Sequence, residues 1–371
     1  MPKENEWYRI ANAEEVYSPS LLVYPERIES NIRKMIQMAG NLSRLRPHVK
    51  THKMAEVVKL QMKNGIHKFK CATISEAEMV AACGADDILL AMQPVGPNIE
   101  RFFNLKRQFR TANISCIADS EMVIRKLSAA ASGNNLECGI WLDINNGMNR
   151  TGITPGEGAM KLYRLTGTLP GLKTAGLHVY DGHIHEKELT RRRQVCDDAF
   201  APVAKMRQAL IDSGSGPVNV VAGGTPTFPI HASRKDVETS PGTILLWDFG
   251  YSSSFSDMDF QHAAVLFTRV VSKPRKDMLC LDLGHKAVAS EMPQPRIKIF
   301  GMDDYSITGH NEEHMVVKTN HARKMNQGDP VYAIPWHICP TVDRHDKVYI
   351  VRNGRVTGQW NVEARRRKIT I

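Results

Sequence analysis

Two rhythms of apolar and polar positions run along this chain, and the change between them comes at about residue 245. Before it, short apolar runs alternate with longer stretches in which apolar residues recur every three or four positions. The runs at 21–24, 45–50, 68–72, 88–92, 114–118, 138–144, 172–180 and 218–222 read as strands. Helical spacing follows most of them. Ile28, Ile32, Met35, Ile36 and Ala39 form one stripe, opened by Pro25 and closed by Gly40. Met54, Val57, Val58 and Met62 form the next, ending near Gly65. Ser75-x-x-Glu78 predicts a capping box, and a long charged helix runs from about Glu186 to Ile211. Pro47 and its neighbour keep the 45–50 run extended. Strands alternating with helices at this spacing predict a parallel sheet with right-handed crossovers, and seven or eight such units predict a closed (β/α)8 TIM-like barrel. The eighth strand is expected from Leu21–Tyr24 or from Gly242–Leu246.

After residue 245 the helical period fades. Strand-like runs take over at 263–271, 278–282, 314–318, 330–334, 347–351 and 355–359, and Asn353-Gly354 between the last two signals a hairpin. The expected organisation is a barrel over 18–245 and a smaller C-terminal, mostly β domain over 246–371, joined by residues 1–17. A length of 371 residues suits two cores better than one.

Composition narrows the classes. With 42% hydrophobic and 24% charged residues the chain is an ordinary globular one. The net charge of +10 raises nucleic-acid binding as a question. The basic residues are scattered, however, and the runs Arg191-Arg192-Arg193 and Arg365-Arg366-Arg367-Lys368 have no interleaved aromatics to stack on bases. A solvated basic surface is expected instead, favouring anionic small ligands. Seven cysteines without a CxxC pair read as reduced thiols in a cytoplasmic protein. No apolar run approaches the length of a membrane span, and the first ten residues lack the apolar core of a signal peptide.

Barrel chemistry sits on the loops after strand C-termini. Here those loops carry Lys50-Thr51-His52, Thr73, Gln93, Asp119, Asn145–Arg150, Tyr180–His185 and Gly223-Gly224-Thr225. Lys50 at a strand end, beside Arg46 and His52, is expected to have a lowered pKa, as a Schiff-base lysine requires; a surface lysine is the plain alternative. Gly223-Gly224-Thr225 lets backbone approach a phosphate closely, although tight turns use the same residues. Arg150 suits an anionic or heteroaromatic ligand, or a loop salt bridge. Tyr180 is placed to stack or hydrogen-bond, with His183 and His185 as acid/base candidates. In the β domain, His337 and Cys339 lie two apart, so on a strand they would share a face, and imidazole plus thiolate suits Zn²⁺.

Taken together, Arg46-Pro47-His48-Val49-Lys50-Thr51-His52-Lys53, Gly147-Met148-Asn149-Arg150-x-Gly152, Tyr180-x-Gly182, Gly223-Gly224-Thr225-Pro226-Thr227 and His337-x-Cys339-Pro340-Thr341 resemble the D-threonine aldolase / D-serine dehydratase family. These are fold-type III pyridoxal 5'-phosphate enzymes with an alanine racemase-like barrel. The resemblance spans residues from about 19 to 365, in order. It implies that Lys50 carries the cofactor, with His52 as its electrostatic neighbour. Arg150 would face the pyridine nitrogen, Tyr180 would contact cofactor or substrate, and Gly224 and Thr225 would hold the phosphate. His337 and Cys339 would bind a divalent metal near a substrate hydroxyl. It also implies a homodimer. Cys339 favours Zn²⁺, where a carboxylate would suit Mn²⁺ or Mg²⁺.

The expected activity is that of a metal-assisted lyase on D-3-hydroxy-α-amino acids. Retro-aldol cleavage to glycine and an aldehyde is favoured by the two histidines near Tyr180, and β-elimination of D-serine by Cys339. An amino-acid racemase would need no metal and would need a second base, for which Tyr305 is a candidate. A non-catalytic cofactor-binding barrel would lack the second domain.

Overall fold

The computed structural model describes residues 6–371. Residues 1–5, part of the 1–17 segment that the sequence assigns to the β domain, lie outside the described residues. The chain divides into two compact units. One takes Arg33–Lys50, Val57–Gly242 and Arg366–Ile371; the other takes Met1–Ile32, Thr51–Glu56 and Thr243–Arg365. The first strand and helix are β1 (Ser20–Val23) and α1 (Pro25–Ala39). The sequence places β1 in the barrel. The structure does not: β1 pairs antiparallel with residues 264–267 and parallel with residues 349–350, in the sheet of the second unit.

The barrel unit continues as α2 (Ala55–Lys63), β2 (Lys68–Cys71), α3 (Ile74–Ala82), β3 (Asp87–Leu90), α4 (Asn98–Gln108), β4 (Asn113–Ala118), α5 (Glu121–Gly133), β5 (Cys138–Ile144), α6 (Glu157–Thr168), β6 (Leu172–Val179), α7 (Leu189–Leu210), β7 (Val220–Ala222), α8 (Phe228–Ala232) and β8 (Glu238–Thr239). The seven strands β2 to β8 pair in sequence order, all parallel. The ring is closed by the stretch 45–48. Leu45 bridges Thr239 and His48 bridges Lys70, both in parallel register. Arg46 N–H donates to Thr239 O at 2.9 Å, and Lys70 N–H donates to Pro47 O at 2.9 Å. Proline is tolerated there because only its carbonyl is needed. The eighth strand is thus Glu238–Thr239, a run too short to stand out as a period. Residues 243–245 form a 3₁₀ turn instead.

Inside the ring, Leu89, Ile117, Trp141 and Val221 form an apolar cluster. The indole N–H of Trp141 donates to Ser115 Oγ at 3.1 Å. Arg46 is 1% exposed. Its guanidinium binds Asp87 through two bonds of 2.7 and 3.0 Å and Glu238 through a third of 2.8 Å. Asp87 opens β3 and Glu238 opens β8, so one side chain ties three staves together. The capping box at α3 is Thr73-x-x-Glu76, not Ser75-x-x-Glu78. Thr73 Oγ1 accepts from Glu76 N at 3.1 Å, and Glu76 returns a bond to Ala72 N at 2.6 Å. Two overlapping matches to the same pattern stand two residues apart, and the earlier one opens the helix. The charged helix starts at Leu189, capped by Glu188. Arg192, expected in a solvated run, is buried and donates to Glu186 O and Lys187 O.

The second unit adds α9 (Phe249–Ser254), β9 (Ala264–Arg275), β10 (Met278–Leu281), β11 (Ile297–Ile299), β12 (Tyr305–His310), β13 (Met315–Thr319), β14 (Pro330–Pro335), α10 (Ile338–Val342), β15 (Lys347–Arg352) and β16 (Arg355–Asn361). Its sheet runs β12-β13-β10-β9-β1-β15-β16, with β14 pairing β9 and β11. Asn353 and Gly354 take φ of 50° and 71° at the β15–β16 hairpin, as a type I′ turn requires. Tyr8, Ile10, Val16, Leu22, Tyr24, Val265, Phe267, Tyr332 and Val351 form its apolar cluster, and Tyr8 stacks on Phe300 at 3.9 Å. His337 and Cys339 are not on a strand. β14 ends at Pro335, His337 caps α10, and Cys339 lies in its first turn, with Asp248 accepting from Ile338 N at 3.0 Å. Pro340 suits the start of a helix and cannot extend a central strand.

Arg46→Ala leaves two carboxylates facing each other without their cation. We expect it to destabilise the fold by about 3 kcal/mol, read as a lower urea midpoint with an unchanged slope.

Candidate active site

In the barrel unit the predicted residues come together around one aromatic ring. Tyr180 lies just past β6. Arg150 Cζ is 4.8 Å from its ring centroid, Lys50 Nζ is 5.5 Å and Lys70 Nζ is 5.7 Å. Lys50 sits in a 3₁₀ turn, Val49–Thr51, immediately after the closing stave, with its N–H directed to His48 Nδ1 at 3.3 Å. Arg150 ends a loop shaped by Asn145, whose Oδ1 accepts from Gly147 N and Asn149 N at 3.1 and 3.0 Å. Asp119 Oδ2 accepts from Gly152 N at 2.9 Å, and Gln93 Oε1 accepts from Asp119 N at 2.9 Å, so the loops after β3, β4 and β5 are linked. Among the described residues, none of the three cations at Tyr180 has a carboxylate within ion-pair distance. Two amines and a guanidinium without a carboxylate partner suit an anion from outside the chain.

The glycine loop lies against the same ring. A Cβ on Gly224 would come 3.2 Å from Tyr180 Cε2. A Cβ on Gly182 would run into the Tyr180 ring itself, so Tyr180-x-Gly182 is a steric requirement. Gly223 has φ 78°, and a Cβ there would meet His231 Cδ2 at 2.6 Å. Thr225 Oγ1 accepts from Gly242 N at 3.2 Å.

Behind this loop is a hub that the sequence reading missed. Asp181 accepts from Thr227 Oγ1 at 2.8 Å and from His231 Nε2 at 2.7 Å, and the Cys196 thiol lies 3.7 Å away. Burial opposes its charge, but His231 and Thr227 hold its carboxyl below the usual range. Asp181, Cys196 and His231 have the residue types and spacing of a metal site. The bonding argues for a hydrogen-bond network. Arg234 donates to His231 Nδ1 at 2.7 Å, so Nε2 carries the proton and faces Asp181 without a free lone pair. The network fixes Tyr180's neighbour to the glycine loop.

Two further inward groups were also missed. Lys70, on β2, is 2% exposed, and burial together with Lys50 pushes it down to about 7. His178 Nδ1 donates to Asp143 Oδ1 at 2.7 Å; burial lowers its pKa, and its Nε2 is buried without a partner. A lysine inside a strand is easily read as one of the outward residues of that strand, which is why Lys70 escaped notice.

Comparison with known proteins agrees with this geometry. Residues 23–248 match the family described as alanine racemase, N-terminal domain, and residues 263–351 match the putative serine dehydratase domain. A D-threonine aldolase of Arthrobacter sp is 30% identical over 356 residues, covering 94% of this chain and 93% of the relative. The chain belongs to the alanine racemase-like D-threonine aldolase family. A 3-hydroxy-D-aspartate aldolase of Paracoccus denitrificans (strain Pd 1222) is 30% identical over 363 residues, covering 95% of this chain and 92% of the relative. The crystal structure of D-threonine aldolase from Filomicrobium marinum superposes with a TM-score of 0.89 at 27% identity, covering 96% and 98% of the two chains.

The barrel residues of this family member fit pyridoxal phosphate. An amine, a guanidinium and a glycine loop followed by a threonine hydroxyl lie together at the Tyr180 ring. His183 and His185 separate clearly. His183 is half-buried, its Nε2 standing where a Cβ on Gly147 would come within 2.8 Å. His185 is exposed. The expected electrostatics around Lys50 need correction. Arg46 is occupied by Asp87 and Glu238. His52 is fully buried and neutral, pushed down to about 3 by burial, with Nδ1 accepting from Met54 N at 3.1 Å. Lys70 is the cation that faces Lys50.

In the second unit, His337 Nδ1 is 2.6 Å from Glu291 Oε1. Burial works against its charge, yet Cys339, Glu291 and Asp248 push it up to about 9. Burial raises Asp248 to about 6. Cys339 Sγ lies 3.2 Å from Thr51 Oγ1 and 3.5 Å from Thr243 Oγ1. Thiol, imidazole and carboxylate are residue types that bind divalent cations, but among the described residues only Asp181, Cys196 and His231 bring three such ligand atoms within 4.8 Å of one another. Among the described residues no helix is long and apolar enough to cross a membrane.

The folded protein releases the Lys70 proton near pH 7, while the unfolded chain keeps it up to the ordinary 10.5. Between these values unfolding takes up a proton, so this group makes stability rise with pH. Urea midpoints of wild type and Lys70→Met are expected to diverge most at about pH 7. The gap should close by up to about 1.4 kcal/mol per pH unit towards about pH 9.5.

Proposed function

We propose that this protein is a lyase dependent on pyridoxal phosphate and a divalent metal. It acts on D-3-hydroxy-α-amino acids and cleaves D-threonine-type substrates to glycine and an aldehyde. One observation carries the reading. Lys50 and Arg150 converge on the Tyr180 ring beside Gly223-Gly224-Thr225, with no carboxylate of the described residues at ion-pair distance. The aldolases at 30% identity support the reaction class.

When bound, the cofactor supplies an electron sink for charge developing at the substrate's α-carbon. The chain's own residues do the rest. The Lys50 amine would hold the cofactor through its carbonyl carbon. The Gly224–Thr225 stretch and the Thr225 hydroxyl receive the phosphate; the Gly223 N–H is held by Val179 O at 2.9 Å, and a side chain at Gly223 or Gly224 would crowd His231 or Tyr180. Arg150 stabilises negative charge at the ring. Tyr180 gives a face for the ring to lie against. His183 takes the hydroxyl proton whose loss breaks Cα–Cβ. It is favoured over His185 by its placement at the Arg150 loop. His337 and Cys339 would hold the metal, Zn²⁺ being favoured over Mn²⁺ or Mg²⁺ by the thiolate, and its chemistry there is Lewis-acid polarisation of a hydroxyl.

A second reading is D-serine dehydratase. If Lys50 removes the α-proton instead, the hydroxyl leaves and a keto acid plus ammonia follow. Cys339 as donor and the serine dehydratase match over residues 263–351 favour it. The working form proposed is a homodimer, as the family resemblance implies, and its proposed location is the cytoplasm, in keeping with seven cysteines that form no disulfide.

Product analysis with D-threonine and D-serine, with and without a chelator, tests this. Glycine plus acetaldehyde supports the aldolase, and pyruvate plus ammonia supports the dehydratase. Full activity after complete metal removal would rule out the role of His337 and Cys339. Borohydride should fix the cofactor on Lys50, and Lys50→Ala should carry none.

A further inference from the structure

To bond a carbonyl carbon, Lys50 must offer a free amine, and at neutral pH an ammonium has to give its proton to something first. The structure places one group for this. Lys70 Nζ and Lys50 Nζ stand 5.7 and 5.5 Å from the centroid of the same Tyr180 ring. Lys70 lies on β2, its residue bridged to His48 of the closing stave two positions before Lys50. It is 2% exposed, so bulk water is a poor competitor for its lone pair.

We propose that Lys70 is the base that relieves Lys50 of its proton. The proposal rests on the reading of Lys50 as the cofactor-bearing nucleophile. In the step, one N–H bond of the Lys50 ammonium breaks and one forms on Lys70 Nζ. The lone pair left on Lys50 then bonds the carbonyl carbon; the two remaining Lys50 N–H protons pass to the carbonyl oxygen, which departs as water as the C–O bonds give way to a C=N bond. Tyr180 and, at the same ring, Arg150 lie beside Lys70. Lys50 and Arg46 approach from the first stave and its turn, Asp143 from β5, and Asp181 from the loop after β6. His178 is neutral and paired with Asp143. Arg46 is neutralised by Asp87 and Glu238. The carboxylates of Asp143 and Asp181 favour the ammonium that Lys70 becomes, while burial and Lys50 keep Lys70 neutral until then, at a pKa of about 7. Lys70 thus acts through Lys50, as a positioning residue for its proton.

The test uses the full chain cleared of bound ligand, with pyridoxal phosphate as probe. The rate of covalent capture at Lys50 is measured against pH by borohydride quenching and peptide mass. Wild type is expected to reach a plateau just above about pH 7. Lys70→Met should be slower at about pH 7 by on the order of 10²-fold, with its rate climbing towards wild type in alkali. Lys70→Arg, which keeps a charge but cannot accept a proton, should be as slow at about pH 7. Pyridoxamine phosphate, which has no carbonyl, should bind Lys70→Met as it binds wild type. A wild-type rate and pH profile in Lys70→Met overturns the proposal. So does parallel loss of pyridoxamine phosphate binding, which would make Lys70 a wall of the pocket and no more. Capture that persists in Lys50→Ala overturns the nucleophile assignment itself, a result separable from the other two.

Discussion

The barrel closes on a buried guanidinium. Arg46 has no water to satisfy its donors, and three of its N–H groups reach carboxylates on the opening residues of two other staves. A charge buried this way is costly unless its partners are held in place, so the geometry of the first, third and eighth staves is fixed together. The backbone bridges Leu45 to Thr239 and His48 to Lys70 follow from that fixation. Lys50 is two residues further on. The position of Lys50 is therefore set by ring closure at the other end of the same four-residue stave.

At the opposite end of the staves the charge balance reverses. Lys50, Lys70 and Arg150 lie 4.8 to 5.7 Å from the Tyr180 ring centroid with no carboxylate of the described residues at ion-pair distance, while the carboxylates nearby are spoken for: Asp143 by His178, and Asp181 by His231 and Thr227. The chain has built a surplus of positive charge and then lined it with glycines. A phosphate-bearing heteroaromatic ring satisfies both features at once. The Asp181 hub ties the residue after Tyr180 to Thr227 and His231 behind the glycine loop.

Much of this was legible in the residues. The strand and helix periods gave the barrel, and Asn353-Gly354 gave the hairpin to the residue. Lys50, Arg150, Tyr180 and the glycine loop fall where strand C-termini put them. Three things were not legible. Ser20–Val23 has the apolar run of a barrel strand, and only pairing partners distant in sequence show that it serves the other sheet. His-x-Cys has the spacing of a strand face, but Pro335 and Pro340 turn the pair into a helix start. Arg46 and Lys70 are cations at extended positions, which look solvated until ring closure turns them inwards.

The inward polar residues carry the strongest functional argument in the barrel. A methionine at 70 and an apolar pair at 143 and 178 would fill the same space without desolvating a charge or leaving His178 Nε2 without a partner. Packing alone therefore disfavours these residues, and the stability lost by keeping Lys70 grows as pH falls towards 7. A fold that tolerates this cost beside its reactive lysine has a use for an amine that changes protonation near neutrality. The same logic separates Lys70 from Arg46: one is buried with its charge fully paired and serves closure, the other is buried with its charge suppressed and serves chemistry.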